Sequence, residues 1–209
     1  MKVIKIAFLI LFSINNLFSQ SIGVQLDRNQ GVIESIFIKK ENIVFELDSA
    51  NSGIKNIYFF SEDSLSERFF YDPVYDFRPR RWVELHRGVK LYIDSYSSVD
   101  YAKNYSSNTF SGIVGSVIKV DDIDIDYHMR IGDNRVIGIV GKLKSINDID
   151  ISYHKNYSEN KRGGYMGKIE SIGDLKFEFH NRHTYSDLTN YAGKIKEIDD
   201  IKFKYRGSD

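Results

Sequence analysis

The sequence predicts an all-β protein: an antiparallel β-meander of tandem 26-residue β-hairpins, preceded by an N-terminal β-rich segment. Glycines spaced 26 residues apart each open a similar stretch, and these glycines are Gly115, Gly141, Gly167 and Gly193. Within each stretch apolar and polar residues alternate, as in GKLKSINDIDISYH, which is typical of half-buried strands. Fourteen Tyr and fourteen Phe against two Pro also favour strands. Such a period indicates units that cover each other's apolar faces.

Residues 1–19 have the pattern of a secretory signal peptide. Lys2 and Lys5 precede an apolar run that Ser13 alone interrupts, and the run is too short to span a bilayer. Small Ser19 offers a cleavage position, although an uncleaved anchor stays open as the alternative. We therefore expect a secreted protein, periplasmic or extracellular, with no transmembrane segment after cleavage.

The composition excludes several classes of chemistry. The chain has no cysteine, so disulfides, thiol catalysis and cysteine-ligated zinc are excluded. Without Lys2 and Lys5 the chain carries 27 basic and 29 acidic side chains, a net charge of −2. No overall charge therefore attracts nucleic acid or a membrane surface.

Three segments follow the predicted signal. Residues 20–62 read as N-terminal strands, because β-rich runs alternate with turn-forming residues. Residues 63–110 read as an irregular connecting segment with some strand, since both prolines fall there, at Pro73 and Pro79. Residues 111–209 hold the four hairpin repeats.

The register inside a hairpin can be argued from its apolar positions. A two-residue turn would place Leu143 on the face opposite Ile151, whereas a three-residue loop places both on one face. This predicts a loop of residues 146–148 and a pairing of Gly141 with Tyr153, whose ring would cover the glycine. The residue expected to adopt positive φ is then the last of each loop. These residues are Asp122, Asp148, Asp174 and Asp200.

Residues 113–206 resemble the YD-repeat units of Rhs-type secreted β-proteins. The shared pattern is G-[KR]-[LI]-x-x-I, a short polar turn, and alternating apolar residues that end in Tyr. The tandem hairpins are less similar to MORN repeats. The resemblance implies an exported β-hairpin scaffold and supplies no catalytic residue. The position of the family's Asp after Tyr is taken here by His128, His154, His180 and Arg206.

The recurring histidines suggest a metal site, but their spacing favours solvent-facing strand ends. Equivalent residues of a meander lie two strands apart, about 9–10 Å, whereas zinc ligands lie about 2.1 Å from one ion. A tightly stacked solenoid would bring them to about 4.8 Å and leave the metal hypothesis open. The loop aspartates suggest calcium, but each stands alone, which favours turn chemistry. We expect no metal and no cofactor.

A first candidate binding site surrounds the only tryptophan. Trp and Arg are enriched at binding hot spots. The alternative is a tryptophan that covers the end of the sheet, with arginine stems packed over it. The candidate residues are Arg78, Arg80, Arg81, Trp82 and His86.

A second candidate is the polar face of the last hairpin, which the predicted register gives a formal charge of +4. Its residues are Lys194, Lys196, Lys202 and Lys204. Lysines at a sheet edge discourage pairing with a second copy. A flat cationic face also attracts an anionic polymer. Both explanations stay open, and edge protection is favoured.

No catalytic motif is present in the sequence. We therefore expect an exported, non-enzymatic scaffold or binding protein of the cell envelope or extracellular space. The expected partners are an envelope protein or an anionic glycan, and not nucleic acid. The alternative is a secreted carbohydrate- or peptidoglycan-acting hydrolase with a site near residues 70–87.

Overall fold

The structure is a computed structural model that describes residues 20–26, 33–48, 53–60, 81–136, 138–181 and 192–203. Its strands form two sheets, so the prediction of an all-β fold is confirmed. The chain divides into two compact units. The first comprises residues 1–50, 54–83 and 90–95, and the second comprises residues 51–53, 84–89 and 96–209. The predicted signal peptide lies outside the described residues.

The first unit is built on a six-stranded sheet. Its strands are β1 (Gln20–Leu26), β2 (Ile33–Lys40), β3 (Ile43–Asp48), β4 (Ile54–Phe59), β5 (Arg81–Glu84) and β6 (Lys90–Ile93). Their order is β1-β2-β3-β4-β6-β5, and β4 and β6 run parallel. A row of buried apolar residues crosses four strands on one face: Ile38, Phe45, Ile57 and Leu91. The row across the other face contains buried Lys39, Val44 and Tyr58.

The second unit is built on a nine-stranded antiparallel sheet in which neighbours in sequence are neighbours in space. Its strands are β7 (Val99–Tyr101), β8 (Val117–Val120), β9 (Ile123–Tyr127), β10 (Leu143–Ile146), β11 (Ile149–Tyr153), β12 (Ile169–Ile172), β13 (Leu175–Phe179), β14 (Ile195–Ile198) and β15 (Ile201–Lys202). The order confirms the predicted meander of hairpins. The loops that precede the first three hairpins contain α1 (Ser106–Ser111), a 3-10 turn at Gly132–Arg135, and α2 (Ser158–Gly163).

The predicted three-residue hairpin loop is wrong. Ile146 pairs with Ile149, and Ser145 pairs with Asp150, so the turn has two residues. Positive φ falls on the first turn residue rather than on the aspartate that ends the turn, as in a type II′ hairpin turn. The residues with positive φ are Asp121, Asn147, Gly173 and Asp199.

A β-bulge explains why the register argument failed. Across the β9–β10 pair, Leu143 lies opposite Tyr127 and Ser145 lies opposite Asp126, so Lys144 is an extra residue. A bulge residue shifts the alternation of side chains along its strand. Leu143 and Ile146 are therefore both buried although they are three residues apart. The extra residues of the four hairpins are all exposed: Ile118, Lys144, Glu170 and Lys196.

The predicted pairing of each glycine with the aromatic residue of its own hairpin is also wrong. Gly141 lies before β10 at φ 79°, a conformation that favours glycine. Its N–H donates to the His128 carbonyl at 2.8 Å, and the His128 N–H donates to the Lys142 carbonyl at 2.8 Å. The glycine therefore joins its hairpin to the preceding one instead of pairing with Tyr153.

Candidate binding surface

The first predicted site is only partly described. Arg78 and Arg80 lie outside the described residues, while Arg81 and Trp82 are exposed on β5. Trp82 is 49% exposed, and the Lys90 Nζ lies 4.8 Å from the centroid of its indole ring. The described contact is therefore a cation–π pair at the surface.

His86 belongs to the second compact unit, unlike Trp82. Its Nδ1 lies 3.5 Å from the Ser116 Oγ, and its ring lies edge-to-face on Tyr127 at 6.3 Å between centroids. A Cβ added to Gly141 would lie 2.4 Å from the His86 Cδ2, so the imidazole fills the space at the glycine. Burial and the charge of Arg87 lower the pKa of His86. These contacts indicate a packing role.

Lysines take the corresponding place in later hairpins. Lys142 lies over the Tyr153 ring, 5.0 Å from Nζ to centroid, and donates to the Gly167 carbonyl at 2.8 Å. Lys168 lies over the Phe179 ring at 5.4 Å and donates to the Gly193 carbonyl. Burial lowers the pKa of both lysines. The first hairpin has Ser116 at this position, and the His86 side chain packs there instead.

The strand-end histidines are half-buried, which corrects the expectation that they face solvent. The His128 ring lies 5.4 Å from that of Tyr153, and the His154 ring lies 5.6 Å from that of Phe179. Burial lowers the pKa of both imidazoles, and nearby Glu170 acts in the opposite direction on His154. Among the described residues no three His, Cys, Asp or Glu side chains form a group that could hold a metal ion.

The lysines of the last hairpin do not form a purely cationic face. Lys196 is exposed and its Nζ lies 3.1 Å from the Glu178 Oε2. Lys202 lies on β15, the last strand in the order of the sheet; it is exposed and pairs with Glu197 of β14. Lys194 is half-buried, and Lys204 lies outside the described residues. Edge protection and anion binding by these lysines both stay predictions.

A buried carboxylate in the first unit was missed from the sequence. Glu46 Oε1 accepts from the Ser35 Oγ and the Lys55 Nζ, both at 3.0 Å. Its Oε2 accepts from the Asn56 Nδ2 and the Tyr58 hydroxyl, both at 2.7 Å. Burial alone would raise the pKa of Glu46, but these hydrogen bonds outweigh it and the pKa is lowered.

This arrangement suits a structural anion. A general acid or base needs a pKa near the working pH and an oxygen that reaches the substrate. Glu46 has a lowered pKa, and four protein donors surround its two oxygens. The sequence signal was a single Glu inside the apolar strand IVFELD.

The most regular surface feature lies in the loops between hairpins. Three exposed apolar side chains occupy equivalent loop positions, and we call them the loop-edge row: Tyr105, Ile131 and Tyr157. They are 62%, 73% and 61% exposed, respectively. Each backbone N–H donates to the carbonyl two residues earlier, at 2.8, 2.8 and 2.9 Å. The three loops therefore present these side chains from the same backbone conformation.

An asparagine fixes each of these loops. Its Nδ2 donates to the same carbonyl that accepts from the row residue, at 3.0, 2.8 and 2.9 Å in the three loops. The asparagines are Asn108, Asn134 and Asn160. They are also 26 residues apart, so the sequence did carry a signal that the period continues through the loops.

The two ends of the strands in the nine-stranded sheet differ in charge. We call the end that carries the loops the loop edge. The loops at 103–114, 129–140 and 155–166 hold six basic and two acidic side chains, a formal charge of +4. The four hairpin turns at the opposite edge hold six aspartates and no basic residue. At the loop edge the Arg130 guanidinium lies 4.6 Å from the Phe110 ring centroid, and Phe110 is 61% exposed. The loop edge is thus cationic and apolar.

These features define an all-β protein with a preformed, cationic and apolar loop edge. No protein-family model matches the chain, and neither the curated proteins nor the solved structures contain a significant match. No helix in the described ranges is both long and apolar enough to cross a membrane.

Proposed function

We propose that the protein is an exported, non-enzymatic binding protein of the cell envelope or extracellular space, and that the loop-edge row is its binding surface. The observation that carries the proposal is the repetition of an exposed apolar side chain in three loops of the same conformation. Single exposed apolar residues are common on protein surfaces. A regular row of them, held by an asparagine in each loop, has no role in the core of this sheet.

The hydrogen bonds that hold the loops support binding. Ordering flexible loops on association costs free energy, and preformed loops avoid much of that cost. Backbone hydrogen bonds also fix Ile113 and Ile139 to the carbonyls of Asn108 and Asn134, both at 3.0 Å. The exposed side chains of the row therefore stand on a framework that is already ordered.

Glu46 gives no support to the hydrolase alternative, because four donors occupy its oxygens. The alternative of a carbohydrate- or peptidoglycan-acting hydrolase depends on residues 70–87, of which residues 70–80 lie outside the described ranges. That alternative stays a prediction.

Co-sedimentation with the insoluble cell-envelope fraction of the source organism tests the proposal. The row variant, Tyr105→Ser with Tyr157→Ser, should lose most of the binding that the unaltered protein shows. The control variant, Tyr96→Ser with Ile118→Ser, removes two exposed apolar side chains outside the row and should bind normally. Equal binding by both variants, or none by the unaltered protein, would contradict the proposal.

Export is tested separately by sequencing the N-terminus of the protein recovered from the periplasm or the medium. Cleavage before Gln20 or Ser21 is expected. Recovery of the uncleaved chain from the cytoplasm alone would contradict export.

A further inference from the structure

We infer that the ligand of the loop edge is an anionic polysaccharide. This inference rests on the proposed function and gives its binding surface a chemical class of ligand. It is carried by the juxtaposition of the loop-edge row with an excess of positive charge in the same three loops.

The period of the row favours a linear polymer. The strands that precede Tyr105, Ile131 and Tyr157 are β7, β9 and β11, so equivalent loops lie two strands apart. Strands of a sheet are about 4.8 Å apart, which spaces the row residues by about 10 Å. A polymer of repeating sugars can offer the same apolar ring face at each step. A flat tyrosine ring is suited to pack against such a face.

The charge of the loops favours an anionic polymer. Lys103 and Lys155 each stand two residues before a row tyrosine, and both are exposed. In the part of the chain that the structure describes, neither lysine enters an ion pair. Carboxylates of a polysaccharide could thus pair with lysines while its ring faces contact tyrosines. The aspartates of the hairpin turns would repel the same polymer, so it should follow the loop edge rather than cross the sheet.

Nucleic acid is also linear and anionic, but its charge density fits less well. It places a phosphate about every 3.4 Å along each strand, which is about three per step of the row. The three loops hold six basic side chains, two per step, and two acidic side chains offset part of this charge. The middle of the row is Ile131, which offers no aromatic face for a base to stack on.

The test compares two polymers that share one sugar backbone and differ in charge, and adds a second anionic polysaccharide. Isothermal titration at low salt compares polygalacturonate with its fully methyl-esterified form, and hyaluronate serves as a second anionic polysaccharide. At least one of the two anionic polymers should bind, and if it is polygalacturonate, the esterified form should bind more weakly. Binding should weaken as salt is added, because exposed charges are screened. The row variant should weaken the affinity by roughly tenfold or more, as truncation of interface aromatics does.

Two lysine variants provide a matched control. Lys103→Ser with Lys155→Ser removes two charges beside the row, and affinity should fall about fivefold to tenfold, the size expected for two exposed ion pairs. Lys144→Ser with Lys176→Ser removes two exposed charges from the strands and should leave the affinity unchanged. An equal loss in both variants would show non-specific attraction and overturn the inference.

The outcomes separate this inference from the proposed function. If the row variant loses envelope binding but neither anionic polysaccharide binds the unaltered protein, the inference is overturned and the proposed function stands. Tighter binding of single-stranded poly(dT) than of either polysaccharide also overturns it, in favour of nucleic acid. If neither envelope binding nor polysaccharide binding depends on the row, both fail.

Discussion

The two sheets arrange their buried and half-buried polar groups in different ways. In the six-stranded sheet a single carboxylate, Glu46 on β3, gathers four donors from the two neighbouring strands, β2 and β4. In the nine-stranded sheet Lys142 and Lys168 each use one aromatic ring and one glycine carbonyl. In the first sheet one carboxylate thus gathers several donors, whereas in the second sheet similar contacts recur in successive hairpins. The two sheets should therefore respond differently to single substitutions.

The first hairpin of the nine-stranded sheet has no lysine at the position that Lys142 and Lys168 occupy in the next two. Ser116 stands where the next two hairpins have Lys142 and Lys168, and the imidazole of His86 packs at this step. The contact at the first hairpin thus depends on His86, which is far away in sequence, whereas the later contacts are made by lysines of the hairpins themselves. Substitutions at the first step should therefore reveal a coupling that the 26-residue period does not predict.

The largest effect on the six-stranded sheet is expected from Glu46→Ala. The substitution leaves Ser35, Asn56 and Tyr58 without their acceptor, and each buried unsatisfied donor costs about 1–3 kcal/mol. We expect the free energy of unfolding of the six-stranded sheet to fall by about 4 kcal/mol, a typical size when a buried charged network is broken. Urea unfolding followed by the fluorescence of Trp82, which lies on β5, measures it.

Glu34→Ala is the control for this substitution. Glu34 is exposed on β2 and accepts one hydrogen bond, from the Gln25 Nε2 at 3.2 Å. Its removal should cost less than about 0.5 kcal/mol, as most exposed changes do. Similar costs for the two substitutions would show that Glu46 is not the centre of the network.

The second prediction compares two glycines with the same backbone and different surroundings. Gly115 and Gly141 have φ of 80° and 79°, and a Cβ meets nothing within 4 Å at Gly115 but meets His86 at Gly141. Gly115→Ala should cost about 1–2 kcal/mol, the penalty of a left-handed conformation. Gly141→Ala should cost about 3 kcal/mol, because overpacking adds to that penalty. Thermal unfolding followed by circular dichroism measures both.

A double variant isolates the role of His86 in this difference. His86→Ala removes the imidazole, so adding it to Gly141→Ala should cost less than the two separate effects together. Strict additivity would show that the imidazole moves aside without loss and does not couple to Gly141.

The sequence predicted the meander because the alternation within each hairpin and the 26-residue period are visible without knowledge of how separate segments contact each other. It did not predict the register, because the bulge at Lys144 arises where one hairpin pairs with the next. It did not predict the environment of Glu46, which depends on the alignment of β2, β3 and β4. It placed His86 beside Trp82, which is close in sequence, whereas the His86 side chain contacts Ser116, Tyr127 and Gly141. Side-chain contacts between distant segments were the information that the local pattern lacked.

A smaller effect should appear in the acid sensitivity of the two sheets. Burial lowers the pKa of His128 and His154 in the nine-stranded sheet, so the folded state binds protons less readily than the unfolded state. Their contribution is present above the unfolded pKa of about 6.5 and is lost as the pH falls below it. Lys142 and Lys144 act in the same direction on His128, and Glu170 opposes it at His154.

Glu46 makes the stability of the six-stranded sheet depend on pH over a different range. Its lowered pKa means that its contribution is present above the pKa of an unfolded Glu and is lost only as the pH falls below about 5. Between pH 7 and 5.5 we therefore expect loss of stability in the nine-stranded sheet alone. Thermal unfolding of the His128→Phe, His154→Phe variant should show a weaker dependence over this range. The same dependence in the variant and the unaltered protein would contradict the role of these histidines.

The smallest effect on stability is expected from the loop-edge row, and this separates its role from those of the two sheets. Tyr105→Ser and Tyr157→Ser each remove a ring that is more than 60% exposed. The backbone hydrogen bonds and the asparagine that hold each loop do not involve the ring. Each substitution should therefore change the free energy of unfolding by less than about 0.5 kcal/mol. By contrast, Tyr153→Ala, at a ring that is 7% exposed, should cost about 3–5 kcal/mol, the range for large buried aromatics. A loss above 1 kcal/mol in thermal melts of either substitution would show that the rings stabilise the fold. Their exposure would then no longer support a binding role for the row.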